Sequence, residues 1–391
     1  MLRSWTEHPL AELLDAHGLT TVPETPFPND GWSGASLTRL VRPADGQPFI
    51  LKRTSWAADW IARSTRDHAL REGFVAAMPL PLPDPLVAPY HGAAADGTSV
   101  AILMPDLSGQ LLAWERAPGE PAIEVASVER ILDALARLHA LPWPIADLPD
   151  AATVWPSAPA RERLLLLAPR SSALLAADGV AAGTRFLAGW AAFDRLATPA
   201  ARELVGRLER EPGPLLTALD GLPRTGIHGD LKFANVAFLG DGRVALIDWQ
   251  MTALAPVAVE LGWLLVSNSA ALPEPPDAIL ERYRRAVAAI AGSPVGAVAP
   301  FDRTAGLPSA STPALQAILG GDAKPHFRSL EGTLGDWDAQ LDLSWIVGLL
   351  LRGWRKGLDA EAGVTLASGV PADDDLALWC DRAVEAVGRR L

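Results

Sequence analysis

At 391 residues the chain is long enough for two lobes or domains, each with its own core. A net charge of −12, with no dense basic run, argues against nucleic acid and anionic membrane as partners and leaves room for a cationic one. The single cysteine, Cys380, excludes an internal disulfide and a thiolate zinc cage, and fits a reducing compartment.

Residues 1–20 mix Arg3, Glu7, Glu12 and Asp15 among leucines, which predicts an amphipathic helix and not a signal peptide, so the cytoplasm is the expected location. The segment 27–40 follows, with Gly31, Ser33, Gly34 and Ser36 between candidate strands. Small residues there would let backbone N–H groups approach phosphates, as a Gly-rich cover loop does, although an ordinary hairpin turn has the same composition.

Phe49-Ile50-Leu51-Lys52-Arg53 reads as an apolar strand carrying a lysine, after a turn at Ala44-Asp45-Gly46. Lysine is rare here, with arginine supplying thirty of the 34 basic residues, so a retained Lys52 points to a site needing a compact ammonium. A helix is expected over 57–77, and both Asp67 and Glu72 lie on it as candidate partners for Lys52. The Pro-rich stretch 78–89 can be neither helix nor central strand and reads as an extended connection. Ser99 to Met104 is a buried strand ending at Pro105-Asp106-Leu107. Val128, Ile131, Leu132, Leu135 and Leu138 recur at helical spacing over 125–140, with His139 at the end as a structural histidine. Two or three further helices are expected over 160–219.

The chemistry concentrates in Ile227-His228-Gly229-Asp230-Leu231-Lys232-Phe233-Ala234-Asn235-Val236-Ala237-Phe238 and in Val244-Ala245-Leu246-Ile247-Asp248-Trp249-Gln250. Gly240-Asp241-Gly242 between the two apolar runs predicts a β-hairpin. An apolar hairpin has little structural use for an acid, an amide and a second acid at one end, whereas phosphoryl transfer does. One carboxylate, Asp230, orients the attacking hydroxyl, while Asn235 and Asp248 hold magnesium on the nucleotide phosphates. An Asp followed five residues later by Asn, with a second Asp ending the next strand, is the spacing of a kinase catalytic loop and its metal-binding Asp.

With His228-Gly229-Asp230, Asn235 and Ile247-Asp248-Trp249 in place, the chain resembles the aminoglycoside phosphotransferase and choline kinase-like family, whose loop reads H-G-D-x-x-x-x-N followed by an I-D-[FW] strand end. The resemblance implies an α+β, bilobal protein kinase-like fold, with a small mainly β N-lobe at 1–105 and a large mainly α C-lobe at 106–391. It implies ATP and Mg2+ as cosubstrate and metal, Glu72 as the partner of Lys52, and a hinge near Met104 to Ser108, with Met104 and Asp106 beside the adenine. Ser33 and Gly34 would cover the phosphates. Lys232 would neutralise the γ-phosphate, and His228 would brace the loop. Gly229 stands where protein kinases place an Arg that senses activation-loop phosphate, and few residues separate Asp248 from a helix expected to start near Pro256. Both features argue for a constitutively active small-molecule kinase.

The acceptor is a small-molecule hydroxyl compound by this resemblance: an aminoglycoside-like amino sugar, another sugar, or an amino alcohol of the choline or homoserine type. A phosphotransferase-like binding protein without chemistry is the rival from another class, and the presence of Lys52, Asp230, Asn235 and Asp248 together argues against it. The stretch 251–272 reads as a buried helix, interrupted too often to span a membrane, and a Pro/Gly/Ser-rich break is expected over 292–312. Asp336, Asp338 and Asp342 sit around Trp337 and Trp345 at the start of a helix running to about Leu358. They are ordinary dipole partners or, on the sharper reading, carboxylates and indole faces that hold a cationic amine.

Overall fold

A computed structural model describes residues 5–28, 31–77, 82–113, 123–143, 157–294 and 326–391. Asn29 and Asp30 of the small-residue loop, residues 78–81 of the Pro-rich stretch and most of the expected break at 292–312 lie outside the described residues.

The first part of the chain forms a five-stranded antiparallel sheet in the order β1-β2-β3-β6-β5. Its strands are β1 (Thr25–Pro26), β2 (Ser36–Val41), β3 (Pro48–Thr54), β5 (Gly92–Asp96) and β6 (Ser99–Pro105). Strand alternation sorts β3 between two cores. Phe49 and Leu51 pack with Leu13 of α1 (Leu10–Ala16), while Ile50 joins the main core on the other face. Lys52 is two residues from Ile50 and shares that face, opposite Leu37 of β2 and Ile102 of β6.

The N-terminal helix is shorter than expected. A 3₁₀ turn at Trp5–Glu7 precedes α1, because Pro9 fixes the helix start and Gly18, at φ +67°, lies beyond its end. The helix expected over 57–77 is two helices, α2 (Trp60–Ser64) and α3 (Arg71–Ala77). Arg66 and Leu70 adopt positive φ between them, and the Asp67 carboxylate accepts from the Arg71 amide, a side-chain bond that starts α3 afresh. Asp67 is therefore engaged in capping, and Glu72 is left in the first turn of α3.

The described part of the Pro-rich connection holds neither helix nor central strand, as expected. Its end forms β4 (Leu86–Val87), which pairs in parallel with β9 (Val244–Leu246) at the edge of a sheet completed by β8 (Val236–Phe238), in the order β4-β9-β8. An edge position tolerates the prolines around it.

The rest is mainly helical, as the α+β reading requires. α4 (Val125–Ala140) has the expected bounds, but the 160–219 region holds five helices, cut at Pro and Gly: α5 (Ala160–Leu164), α6 (Pro169–Ala177), α7 (Ala181–Leu196), α8 (Pro199–Arg210) and α9 (Gly213–Asp220). The segment 251–272 holds α10 (Val257–Ser267), every residue of it buried. The helices α11 (Pro276–Ile290), α12 (Leu330–Leu334), α13 (Trp337–Glu361) and α14 (Ala372–Arg390) complete the described chain. α13 runs through the core against α7, α10 and α14. A Cβ on Gly262 would meet the Ser344 carbonyl at 2.6 Å, so the α10–α13 crossing is closer than any side chain permits. No described helix is long and apolar enough to cross a membrane.

Candidate active site

A cleft of about 360 Å³ is lined from the sheet by Ile50, Lys52 and Met104 and from the helical part by Asp230, Lys232, Asn235 and Asp248. That is within the size range of small-molecule sites.

From the sheet side, the Lys52 ammonium lies 2.6 Å from Glu72 Oε2 and 2.8 Å from Asp248 Oδ1. Burial works against its charge, but the two carboxylates outweigh burial and raise its pKa above the ordinary lysine value. Tyr90, just before β5, ties this group together: its buried hydroxyl donates to Glu72 Oε1 and accepts from the Asp248 amide, each at 2.9 Å.

From the helical side, β7 (Thr225–Ile227) pairs with β10 (Ala253–Ala255), and β8 (Val236–Phe238) forms the expected hairpin with β9. The loop between β7 and β8 is fixed from beneath. Glu260 of α10 accepts from the His228 and Gly229 amides, Arg163 of α5 donates to the Gly229 and Met251 carbonyls, and Asn268 accepts from the Phe233 amide. Gly229 has φ +89°, and a Cβ there would lie 2.0 Å from the Met251 carbonyl oxygen. No side chain can stand between His228 and Asp230 in this backbone.

His228 Nδ1 accepts from the Asp230 amide at 3.3 Å, so Nε2 carries the proton and donates to the Ile247 carbonyl at 2.9 Å. Burial lowers its pKa from the ordinary histidine value, which keeps the ring neutral at pH 7. The imidazole thus links the Asp230 loop to the strand end carrying Asp248.

Asp230 is mostly buried, with Lys232 Nζ 3.1 Å from Oδ2 and Asn235 Nδ2 donating to the same oxygen at 3.2 Å. Asp248 adopts the left-handed conformation, φ +65°. Burial would raise its carboxyl, but Lys52 and Lys232 prevail and hold it at about 2. With its amide nitrogen turned to Asp230, Asn235 has Oδ1 left for a cation. An amide oxygen and an ionised carboxylate are hard donors suited to Mg2+, which takes its remaining ligands from phosphate and water. Among the described residues no group of three His, Cys, Asp or Glu could hold a metal unaided.

The remaining candidates are placed unequally. Ser33 lines the cleft, and its carbonyl accepts from the Trp60 amide at 3.2 Å. Gly34 does not line it: at φ +98°, a Cβ would come 2.6 Å from the Ala58 carbonyl, so this glycine serves close packing on the turn before α2. Met104 and Asp106 both line the cleft, but the Asp106 carboxylate is occupied by Arg39 at 2.9 Å and Ser108 at 2.6 Å. The acid group 336–342 is elsewhere. Asp336 caps α13 and pairs with Arg390, Asp342 is held by Arg389 and Arg390 at 2.6 and 2.7 Å, and none of the three acids lines the cleft. The cationic-amine reading of that group is therefore corrected: Asp336 and Asp342 are already paired with Arg389 and Arg390, and Asp338 lies away from the cleft.

Sequence reasoning missed Tyr90, Arg163 and Arg352, which carry no motif. Glu260 had one signal, a lone acid in an apolar helix, since a fully buried carboxylate must be satisfied by donors.

The phosphotransferase enzyme family model (APH) matches residues 27–294. No curated protein sequence matches the chain. Among solved structures the chain is similar to a macrolide 2′-phosphotransferase from Brachybacterium faecium, at 17% identity over 95% of this chain and 96% of that one, with a TM-score of 0.42. It is also similar to a choline kinase from Streptococcus pneumoniae, at 11% identity over 97% and 96% with a TM-score of 0.40. A Plasmodium vivax ethanolamine kinase is 9% identical over 96% of this chain and 85% of that one, with a TM-score of 0.47. With the H-G-D loop and the I-D-W strand end both inside the matched span, the chain belongs to the phosphotransferase enzyme family and is a phosphotransferase.

Proposed function

We propose that the protein is a cytoplasmic kinase that transfers the γ-phosphoryl group of ATP, with Mg2+, to a hydroxyl of a small molecule. The observation that carries this reading is the convergence of Lys52, Glu72, Asp230, Asn235 and Asp248 on one cleft. Lys52, held by Glu72, meets the nucleotide phosphates, and Asn235 and Asp248 hold the metal. The lobe boundary falls at Pro105 and Asp106, with Met104 and Asp106 beside the base and Ser33 near the phosphates.

Asp230 orients the acceptor hydroxyl. The hydroxyl oxygen forms a bond to the γ-phosphorus as the bond to the ADP oxygen breaks, and the hydroxyl proton passes to Asp230 late, because the transition state is loose. Lys232, 3.1 Å from Asp230, offsets charge on the transferred group. Aminoglycoside-like amino sugars, other sugars and amino alcohols belong in the test panel beside other small hydroxyl compounds.

The test is magnesium-dependent ADP formation with a metabolite and antibiotic library, read together with a phosphate mass gain on the acceptor. At least one hydroxyl compound should gain phosphate, and only with magnesium. Failure to bind ATP in the presence of magnesium would refute the reading.

A further inference from the structure

Arg352 of α13 is a cation with no use in the chemistry above. It is 3% exposed, yet it lines the cleft. Its Nε and Nη1 make no hydrogen bond among the described residues, and Nη2 stops 3.8 Å from Asp230 Oδ1, beyond hydrogen-bond reach. The guanidinium stands 4.2 Å from the Trp263 ring centre and 5.6 Å from that of Trp354. Trp263, Phe186 and Trp32 line the same cleft, with Trp354 buried behind Phe186 at 4.7 Å and Phe186 on Trp32 at 5.3 Å, so the arginine stands beside an aromatic wall.

A buried guanidinium without its hydrogen bonds costs stability, so its retention calls for a partner that arrives from outside. Its fork of donors matches a carboxylate in plane and spacing. The neighbouring charges point the same way. Asp230 already faces Lys232 on one oxygen and Arg352 on the other, so an ammonium entering beside them would be repelled. Any group held by Arg352 also sits close to the hydroxyl that Asp230 orients, which places the acceptor's charge on a carbon near its reacting hydroxyl.

We propose that Arg352 recognises a carboxylate on the acceptor, so that the substrate is a hydroxy acid with an apolar body and not an amine. This deepens the kinase reading and rests on it. The transfer is as written above: the new bond joins the hydroxyl oxygen to the γ-phosphorus, ADP leaves, the proton goes to Asp230, and the carboxylate is unchanged.

The probes are three molecules with one skeleton: 3-phenyllactate, 3-phenyllactamide and 1-amino-3-phenylpropan-2-ol. Each is titrated into the full chain with magnesium and ADP, and each is assayed for phosphate gain with magnesium and ATP. The acid is expected to bind about tenfold tighter than the amide, as a charge-assisted pair requires, and the amine weakest. Arg352→Gln should erase the preference of acid over amide, and Arg352→Lys, which keeps the charge but not the fork, should retain a reduced one. Absence of a preference for the acid, including absence of binding by all three, overturns the proposal. So does an Arg352→Gln variant that weakens magnesium-ATP binding while the acid preference survives, since the arginine would then serve the phosphates. Failure of the kinase reading shows separately, as a native chain that does not bind magnesium-ATP.

Discussion

Lys52 Nζ lies 2.8 Å from Asp248 Oδ1, so the cation of the antiparallel sheet and the carboxylate at the end of β9 touch across the cleft. Lys52→Ala would leave Glu72 and Asp248 facing each other without the charge between them. We expect magnesium-ATP affinity to fall at least about tenfold, about 1.4 kcal/mol, in an ATP titration. Lys52→Arg should not restore it, because a planar fork does not occupy the place of a compact ammonium between two carboxylates. Native affinity in Lys52→Arg would remove Lys52 from the nucleotide site.

Tyr90 offers a more selective probe of the same group. Tyr90→Phe keeps the ring and removes one oxygen, leaving a Glu72 oxygen without its donor and the Asp248 amide without its acceptor. Buried groups left unpaired in this way cost about 1–3 kcal/mol. Thermal or denaturant unfolding should show that loss, and the apparent KM for magnesium-ATP should rise because Asp248 is no longer fixed in its left-handed conformation. A variant with native stability and native KM would reduce Tyr90 to a packing residue.

The neutral His228 ring predicts an acid limit. Its folded pKa is lowered by burial, so between the ordinary imidazole value near 6.5 and that lower value the unfolded chain binds more protons than the folded one. The stability His228 contributes is therefore complete above about pH 6.5 and is lost as pH falls through the folded pKa. Protonating Nδ1 would also break its bond from the Asp230 amide, so turnover should fall over the same window. His228→Gln should start from a lower unfolding midpoint with a flatter dependence as pH falls below about 6.5. An unchanged slope in that variant would assign the acid limit to another group.

How much of this was legible in the sequence follows from how local each signal is. Asp230, Asn235 and Asp248 are set by a short loop and one hairpin, so their spacing predicts their meeting. The break between α2 and α3 is different. Nothing in the helical periodicity of 57–77 marks it, because it depends on Asp67 capping α3 and on Arg71 reaching the Gln250 carbonyl far along the chain. Glu72 could be read only through a family likeness for the same reason. Gly34 shows the reverse case: a glycine in a loop has the same letter whether a phosphate or the Ala58 carbonyl approaches it. The acids at 336–342 misled because their neutralising partners, Arg389 and Arg390, lie at the far end of the sequence.

The two acids of the central loop should fail differently when each is changed to its amide. Asp230 has no role in the sheet-side ion-pair group and faces Lys232 and Asn235, whereas Asp248 touches Lys52 and is held ionised at about 2. Asp230→Asn keeps shape and most hydrogen bonds but cannot take a proton, so turnover should drop roughly 10²–10⁴-fold, the range for a general base, with magnesium-ATP affinity nearly unchanged. Asp248→Asn removes a charged oxygen from a hard cation and one of the two carboxylates that hold Lys52, so metal-dependent ATP binding and turnover should fall together. Asn235→Ala should resemble Asp248→Asn in milder form, with some loss in turnover from the freed Asp230 carboxylate. Calorimetric titration of ATP with and without magnesium, run beside initial rates, separates the three. If Asp230→Asn lost magnesium-ATP binding as severely as Asp248→Asn, while Asp248→Asn turned over normally, the roles assigned to this loop would be wrong.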